Sequence, residues 1–191
     1  MNVKDMLRQA SDAAKQLITL SDQTIIGILK ETAQVLRTHT EEVLAANRQD
    51  LERMDPANPK YDRLKLTEER LQGIAADMEN VSTLPSPLNK VLNETTRPNG
   101  MVIRKVTVPF GVIGVIYEAR PNVTFDVFSL CFRSGNVCVL KGGSDADFSN
   151  RALVRIIHSV LERQGINPAV CTLLPPDREA TAELLGAVGL V

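Results

Sequence analysis

The sequence predicts an α/β fold in which a layer of helices precedes a series of parallel β-α-β units. Two observations support this prediction. Apolar residues in the first 80 positions recur every three or four residues, which is the spacing of amphipathic helices. After residue 108, short apolar runs of strand length alternate with helical stretches, and this alternation is typical of a parallel sheet covered by helices. We expect the crossovers between these strands to be right-handed.

Four helices are predicted in the first 80 residues. The first begins near Val3, and Ser21 is a credible N-cap for the second, which runs to residue 39. The third covers residues 40–54 and is closed by the two prolines of the segment DPANP. Thr67 begins the fourth helix, which runs to residue 80. Residues 1–80 are therefore interpreted as a helical layer.

Residues 81–107 are interpreted as a connector followed by a short strand. The segment VSTLPSPLNKVLNETTRPNG is rich in turn formers, including the Asn99-Gly100 pair, and it has no regular apolar period. The next segment, MVIRKVTV, is short and rich in β-branched residues, which favours a strand.

Residues 108–191 are interpreted as β-α-β units. Strands are predicted at GVIGVIY, NVCVL and AVCTLL, and helices at VTFDVFSLCFRS, DFSNRALVRIIHSVLERQ and DREATAELLGA. Gly135 closes the first of these helices, while Gly165 and Pro168 close the second. The strands are continuous apolar runs, so they are expected to be buried on both faces.

Composition excludes several classes of protein. The formal net charge of the 191 residues is -1, which does not favour a nucleic-acid partner. No run approaches the roughly 20 apolar residues that a membrane helix needs, and the N-terminus has no apolar signal core. We therefore expect a cytoplasmic protein without a membrane or nucleic-acid partner.

The cysteines and histidines do not predict a metal site. Cys131, Cys138 and Cys171 are odd in number and surrounded by apolar residues, which favours buried reduced thiols over a disulfide or zinc framework. His39 and His158 have no cysteine or acidic companion at metal-ligand spacing.

Polar residues follow each predicted strand of the β-α-β units. Because the carboxyl ends of parallel strands meet at one edge of a sheet, where ligands usually bind, we expect these residues to converge. They are Glu118, Arg120 and Asn122 after the first strand, Lys141, Gly142, Gly143, Ser144 and Asp145 after the second, and Asp177 after the third. Neither a dinucleotide fingerprint nor a P-loop is present, since Gly111 and Gly114 lie inside a strand pattern and Lys141 precedes its glycines. Pattern alone indicates an α/β domain with a polar edge, and a nucleotide is one candidate ligand.

The segment VPFGVIGVIYEARPNVTFDVFSLCFRSGNVCVLKGGSDA resembles the family of gamma-glutamyl phosphate reductases, also called glutamate-5-semialdehyde dehydrogenases. This family belongs to the aldehyde dehydrogenase superfamily. General aldehyde dehydrogenases carry Pro-Trp-Asn where this chain has Arg120-Pro121-Asn122, so the segment points to the glutamyl phosphate branch. The reductase half of bifunctional pyrroline-5-carboxylate synthetases is an open alternative.

The resemblance implies a fold and a reaction. The fold is aldehyde dehydrogenase-like, and the chain is the N-terminal part of a Rossmann-like NADP-binding domain. The reaction is the NADPH-dependent reduction of L-glutamyl 5-phosphate to L-glutamate 5-semialdehyde in proline biosynthesis. Glutamate 5-kinase is then a pathway neighbour, and the complete enzyme is expected to be a homo-oligomer.

The resemblance also implies roles for individual residues. Asn122 matches the oxyanion-hole asparagine, although an N-cap of the following helix is an equally open interpretation. Lys141 matches the lysine on the adenosine side of NADP(H), followed by Gly142, Gly143 and Ser144; a plain surface lysine is the alternative. Arg120 and Glu118 are candidates for substrate binding, or they pair with each other and brace the turn.

The family's nucleophilic cysteine and catalytic domain lie downstream of residue 191, and none of the three cysteines matches the nucleophile block. We therefore expect a catalytically incomplete N-terminal portion. Two alternatives are a non-catalytic NADP-binding module and a structural or interaction fragment.

Overall fold

Five helices form the N-terminal layer in the computed structural model, which describes residues 2–191. They are α1 (Val3–Leu17), α2 (Asp22–Thr38), α3 (Thr40–Glu52), α4 (Tyr61–Leu64) and α5 (Glu68–Thr83). The predicted cap at Ser21 is confirmed, since its Oγ accepts a hydrogen bond from the amide of Thr24. The predicted helix start at Thr67 is confirmed as well, and its Oγ1 accepts a hydrogen bond from the amide of Arg70. The single-turn helix α4 was not predicted because four residues are too few to show a period.

An antiparallel hairpin follows, formed by β1 (Val91–Thr96) and β2 (Val102–Val106). The strand β2 was expected, but interpreting residues 91–96 as connector is wrong. Every residue of both strands is exposed, so the hairpin has no buried face to impose an alternation of apolar and polar residues. The turn formers that suggested a connector lie on both sides of β1, with Pro85 and Pro87 before it and Pro98, Asn99 and Gly100 at the tip, where Gly100 has φ of 82°.

The second half of the chain is a three-stranded parallel sheet with the order β3-β4-β5. Its strands are β3 (Val112–Ile116), β4 (Val137–Lys141) and β5 (Cys171–Leu173). The helices α6 (Asn122–Arg133), α7 (Asp147–Arg163) and α8 (Arg178–Leu185) each follow one strand. This confirms the predicted α/β fold with parallel β-α-β units.

The helical layer and the sheet share one hydrophobic core. Every residue of β4 is buried, and both α1 and α6 contact this strand. The expectation that the first strand is buried on both faces is wrong, because β3 lies at the edge of the sheet and its residues Gly114 and Ile116 are exposed. Three phenylalanines of α6 are fully buried, namely Phe125, Phe128 and Phe132. Removing this apolar surface from water is the main force that holds the two halves together.

The three cysteines are buried and unpaired. Burial raises the pKa of Cys131 to about 12. The pKa of Cys138 is raised well above its ordinary value, first by a hydrogen bond with Cys171 and then by burial. Within residues 2–191, no helix is both long and apolar enough to cross a membrane. The same residues contain no cluster of histidine, cysteine and acidic side chains that could hold a metal ion.

Candidate functional site

A cavity of about 600 Å³ lies at the carboxyl ends of the three parallel strands. We call it the crest cavity. It is lined by residues that follow all three strands, as expected for a ligand site in a sheet of this kind. These residues include Tyr117 and Glu118 after β3, Lys141, Gly143, Ser144 and Asp145 at the end of β4, and Pro176, Asp177 and Arg178 after β5.

Lys141 is the last residue of β4 and is only 7% exposed. Its Nζ donates hydrogen bonds to the carbonyl oxygens of Gly142, at 3.1 Å, and of Pro176, at 2.9 Å. It forms no ion pair with a carboxylate of residues 2–191. The surface-lysine interpretation is therefore wrong. An ammonium has three donors, so one remains for a ligand, and a buried cation without a counter-charge favours an anion.

The two glycines after Lys141 differ in what surrounds them. A Cβ at Gly142 would lie 2.3 Å from Nδ2 of Asn150, a buried residue of α7. A Cβ at Gly143 would lie 3.6 Å from the Cα of Glu118, which is ordinary contact. Gly142 therefore permits close packing of the loop on α7, whereas Gly143 faces the crest cavity.

A buried hydrogen-bond network joins the elements around the crest cavity. The hydroxyls of Tyr117 and Thr124 lie 2.7 Å apart, and Thr124 Oγ1 donates to Asn150 Oδ1 at 3.2 Å. Burial, the largest influence, raises the pKa of Tyr117 far above its ordinary value. Sequence reasoning missed this network. The only sign of it in the sequence is that these polar residues stand within apolar stretches. Such a sign does not show that Thr124 and Asn150, which lie 26 positions apart, are in contact.

The turn after β3 sends neighbouring residues in different directions. Ala119 is buried and has φ of 42°, in the left-handed region that residues other than glycine seldom adopt. Glu118, before it, lines the crest cavity. Arg120 and Asn122, after it, line a second cavity of about 350 Å³ bordered by α4 and α5. We call this the α5 cavity. The polar residues that were expected to converge at one site thus lie in two adjoining cavities.

Glu118 and Arg120 do not pair with each other. Glu118 Oε2 lies 3.3 Å from Nζ of Lys60, and the same ammonium lies 3.7 Å from Asp145 Oδ2. Arg120 forms no ion pair or side-chain hydrogen bond within the described range 2–191. The interpretation in which these two residues brace the turn is therefore wrong. Sequence reasoning also missed Lys60, because its partners lie 58 or more positions away.

Asn122 does not cap α6. The helix has Pro121 at its N-cap position, and no side chain accepts a hydrogen bond there, so the N-cap interpretation is wrong. Instead, Asn122 Nδ2 donates to Asp126 Oδ2 at 3.0 Å, one turn along the helix. A side-chain amide carries two N–H donors, so this bond orients the group and leaves one donor unused.

Asp126 carries the negative charge behind this amide. Burial raises the pKa of Asp126, and the nearby charge of Asp77 raises it further, whereas the hydrogen bond from Asn122 opposes the shift. Asp126 is half-buried, so its carboxylate loses part of its hydration, and the hydrogen bond from Asn122 replaces part of what is lost.

Curated proteins match the chain over its full length. A gamma-glutamyl phosphate reductase of Parabacteroides distasonis is 98% identical over 191 residues, covering all of this chain and 46% of that protein. One from Bacteroides thetaiotaomicron is 60% identical over 190 residues and is likewise covered to 46%. The chain thus spans about half the length of the curated relatives it matches. No protein-family model matches it.

Solved structures show the same fold. A gamma-glutamyl phosphate reductase from Thermotoga maritima superimposes with a TM-score of 0.92 at 31% identity, over 97% of this chain and 46% of that one. The Saccharomyces cerevisiae reductase gives a TM-score of 0.85 at 25% identity, over 93% and 47% of the two chains. An engineered glycolyl-CoA reductase with bound NADP+ gives 0.66 at 18% identity, over 100% and 41%, which shows the fold alone. The resemblance and the aldehyde dehydrogenase-like fold predicted from the sequence are confirmed.

Proposed function

From the premise that the chain is closely related over its whole length to gamma-glutamyl phosphate reductases, we propose that it acts as one portion of such an enzyme. The reaction is the NADPH-dependent reduction of L-glutamyl 5-phosphate to L-glutamate 5-semialdehyde, with release of phosphate, in proline biosynthesis. The geometric observation behind this proposal is the Asn122 amide. Asp126 orients it, and it lines a cavity beside the unpaired guanidinium of Arg120.

The crest cavity is the proposed site of NADP(H). Its donor set suits a phosphorylated nucleotide, because the buried ammonium of Lys141 has no carboxylate partner in the described part of the chain. Lys141 would meet the ribose hydroxyls or the 2′-phosphate on the adenosine side, and Gly143 and Ser144 would approach the same groups. Gly142 would hold this loop against α7. The NADP+ bound by the glycolyl-CoA reductase of like fold favours the same class of ligand. When bound, the reduced cofactor supplies hydride.

The α5 cavity is the proposed site of the acyl group. In thiolate attack on an acyl phosphate, a carbon–sulfur bond forms, the bond from carbon to the phosphate oxygen breaks, and phosphate leaves. Negative charge develops on the carbonyl oxygen in this step and again when the thioester receives hydride, so a fixed donor at that oxygen accelerates both. The unused N–H of Asn122 is the proposed donor. The planar guanidinium of Arg120 would bind the phosphate or the substrate carboxylate.

The thiolate is proposed to come from outside the 191 residues. Cys131 and Cys138 are buried thiols with raised pKa, and such thiols are poor nucleophiles near neutral pH. Cys171 is fully buried in β5 beside Cys138. This chain would therefore supply the oxyanion donor and the cofactor surface. A cytoplasmic location, a homo-oligomeric complete enzyme and glutamate 5-kinase as pathway neighbour stay predictions that follow from the family.

The proposal is tested with the complete enzyme that contains this chain, supplied with glutamate 5-semialdehyde, phosphate and NADP+. We expect phosphate-dependent formation of NADPH, and we expect Asn122→Ala to lower kcat by about 100-fold or more. Asn80, an exposed asparagine of α5, offers a matched control, and Asn80→Ala should leave kcat unchanged. Wild-type enzyme that forms no NADPH would contradict the proposed reaction, and near-normal turnover by Asn122→Ala would contradict the oxyanion role.

A further inference from the structure

The α5 cavity contains charged groups that lack partners. Asp62 and Arg70 neutralise each other, since Arg70 Nη2 lies 3.1 Å and 3.3 Å from the two carboxylate oxygens of Asp62. Four further charged residues line the cavity without an ion pair or side-chain hydrogen bond in the part of the chain that the structure describes. They are the cations Arg63, Lys65 and Arg120 and the carboxylate Asp77. The fold leaves three positive charges and one negative charge in this space for a ligand to satisfy.

Asp77 lies on the α5 side of this cavity, one helical turn beyond Gly73 on the same face. A Cβ at Gly73 would meet nothing within 4 Å, so the wall beside Asp77 is open. The carboxylate also lies close enough to Asp126 for its charge to act on that group. Asp126 does not line the cavity and accepts a hydrogen bond from Asn122, so Asp77 is the carboxylate that faces this space, and the second negative charge behind it strengthens the attraction of a cation to Asp77.

The substrate of the proposed reaction carries the complementary charges. L-Glutamyl 5-phosphate has one ammonium group, one carboxylate and an acyl phosphate with about two negative charges near neutral pH. It therefore offers one positive and about three negative charges to a cavity that leaves one negative and three positive charges unpaired. A volume of about 350 Å³ is within the usual range of a small-molecule site.

We propose that Asp77 binds the α-ammonium group of the substrate and so selects α-amino acyl substrates over analogues that lack the amino group. This inference rests on the proposed function and adds a specificity residue to it. Asp77 touches neither the reacting carbonyl nor the cofactor, so its effect falls on substrate affinity and not on the rate of the chemical step.

The test compares two substrates in the complete enzyme, in the direction of NADP+ reduction. One is L-glutamate 5-semialdehyde, and the other is 5-oxopentanoate, which has the same carbon chain and carboxylate without the α-amino group. For Asp77→Asn, we expect kcat/KM for glutamate 5-semialdehyde to fall about 10- to 100-fold through KM, as for loss of a charged hydrogen bond. We expect kcat/KM for 5-oxopentanoate to be unchanged.

Glu68→Gln is the matched control, because it removes the same charge from an exposed position in the first turn of α5, outside the cavity. It should leave both substrates unaffected. An equal loss with both substrates in Asp77→Asn would assign Asp77 a structural role and overturn the inference. Undiminished use of glutamate 5-semialdehyde would also overturn it. Failure of the wild-type enzyme with both substrates would instead overturn the proposed function, and the inference with it.

Discussion

The crest cavity and the α5 cavity adjoin the same turn, but they are built differently. Around the crest cavity, Lys141 is buried and hydrogen-bonded to backbone carbonyls, and the Tyr117–Thr124–Asn150 network is satisfied by protein partners. In the α5 cavity, Arg120 and Asp77 are exposed and have no ion pair or side-chain hydrogen bond among residues 2–191. The polar groups around the crest cavity are thus held in place by hydrogen bonds within the protein, whereas the charged groups of the α5 cavity are available to a ligand. Substitutions near the crest should therefore alter stability as well as binding, whereas those in the α5 cavity should alter substrate binding or turnover with little change in stability.

Among substitutions around the crest cavity, the largest effect is expected at the buried ammonium of Lys141. Lys141→Met keeps most of the length of the side chain but removes its charge, so the affinity of the 191-residue chain for NADPH should fall about 10- to 100-fold. Titration of NADPH fluorescence measures this affinity. The control is Lys4→Met, at an exposed position of α1. Equal affinity of wild type and Lys141→Met for NADPH would contradict the proposed role of this lysine in cofactor binding.

A smaller effect is expected from the glycines of the same loop. Gly142→Ala would place a Cβ 2.3 Å from Asn150 Nδ2, so it should lower the free energy of unfolding by about 1–3 kcal/mol. Gly143→Ala is the internal control and should change it by less than about 0.5 kcal/mol, since its Cβ makes ordinary contact. Urea denaturation measures both. If the two variants unfold alike, the loop is not packed against α7 in the way described.

The smallest effect concerns the pH dependence of stability. The pKa of Asp126 is raised in the folded protein, first by burial, so the folded state binds its proton more tightly than the unfolded state does. This group therefore favours folding below its unfolded pKa of about 4, and that contribution is lost as the pH rises through the folded pKa. Asp126→Asn removes the titration but keeps an acceptor for Asn122.

We accordingly expect the free energy of unfolding of Asp126→Asn to rise relative to wild type between about pH 4 and neutral pH. Urea unfolding at a series of pH values gives this difference. A difference that is constant with pH would mean that the Asp126 carboxyl titrates alike in the folded and unfolded chain.

The sequence predicted the regular elements well because their signals are local. Apolar periodicity, the cap at Ser21, the helix start at Thr67 and the buried run of β4 depend on neighbouring residues only. The hairpin over 91–106 was only half predicted, because an exposed ribbon held by backbone hydrogen bonds has no buried face. Local pattern therefore predicts elements that pack against the core better than elements that project from it.

The residues predicted for the site line cavities, but the sequence did not predict how they are arranged. Glu118 and Lys141 line the crest cavity, whereas Arg120 and Asn122 line the α5 cavity. The left-handed conformation of Ala119 separates Glu118 from Arg120 and Asn122. Nothing in the sequence indicates a positive φ at an alanine, since glycine is the usual residue there. Lys60 and Asp77 were missed because their positions at these cavities depend on elements distant in sequence.

The central claim is that this chain supplies a cofactor side and an acyl side from two distinct cavities. Steady-state kinetics of the complete enzyme with Lys141→Met, Asn122→Ala and the double variant test it most directly. We predict that Lys141→Met raises KM for the cofactor, that Asn122→Ala lowers kcat without changing that KM, and that the two effects add as free energies. An increase in KM for the cofactor in Asn122→Ala, with kcat retained, would contradict this division.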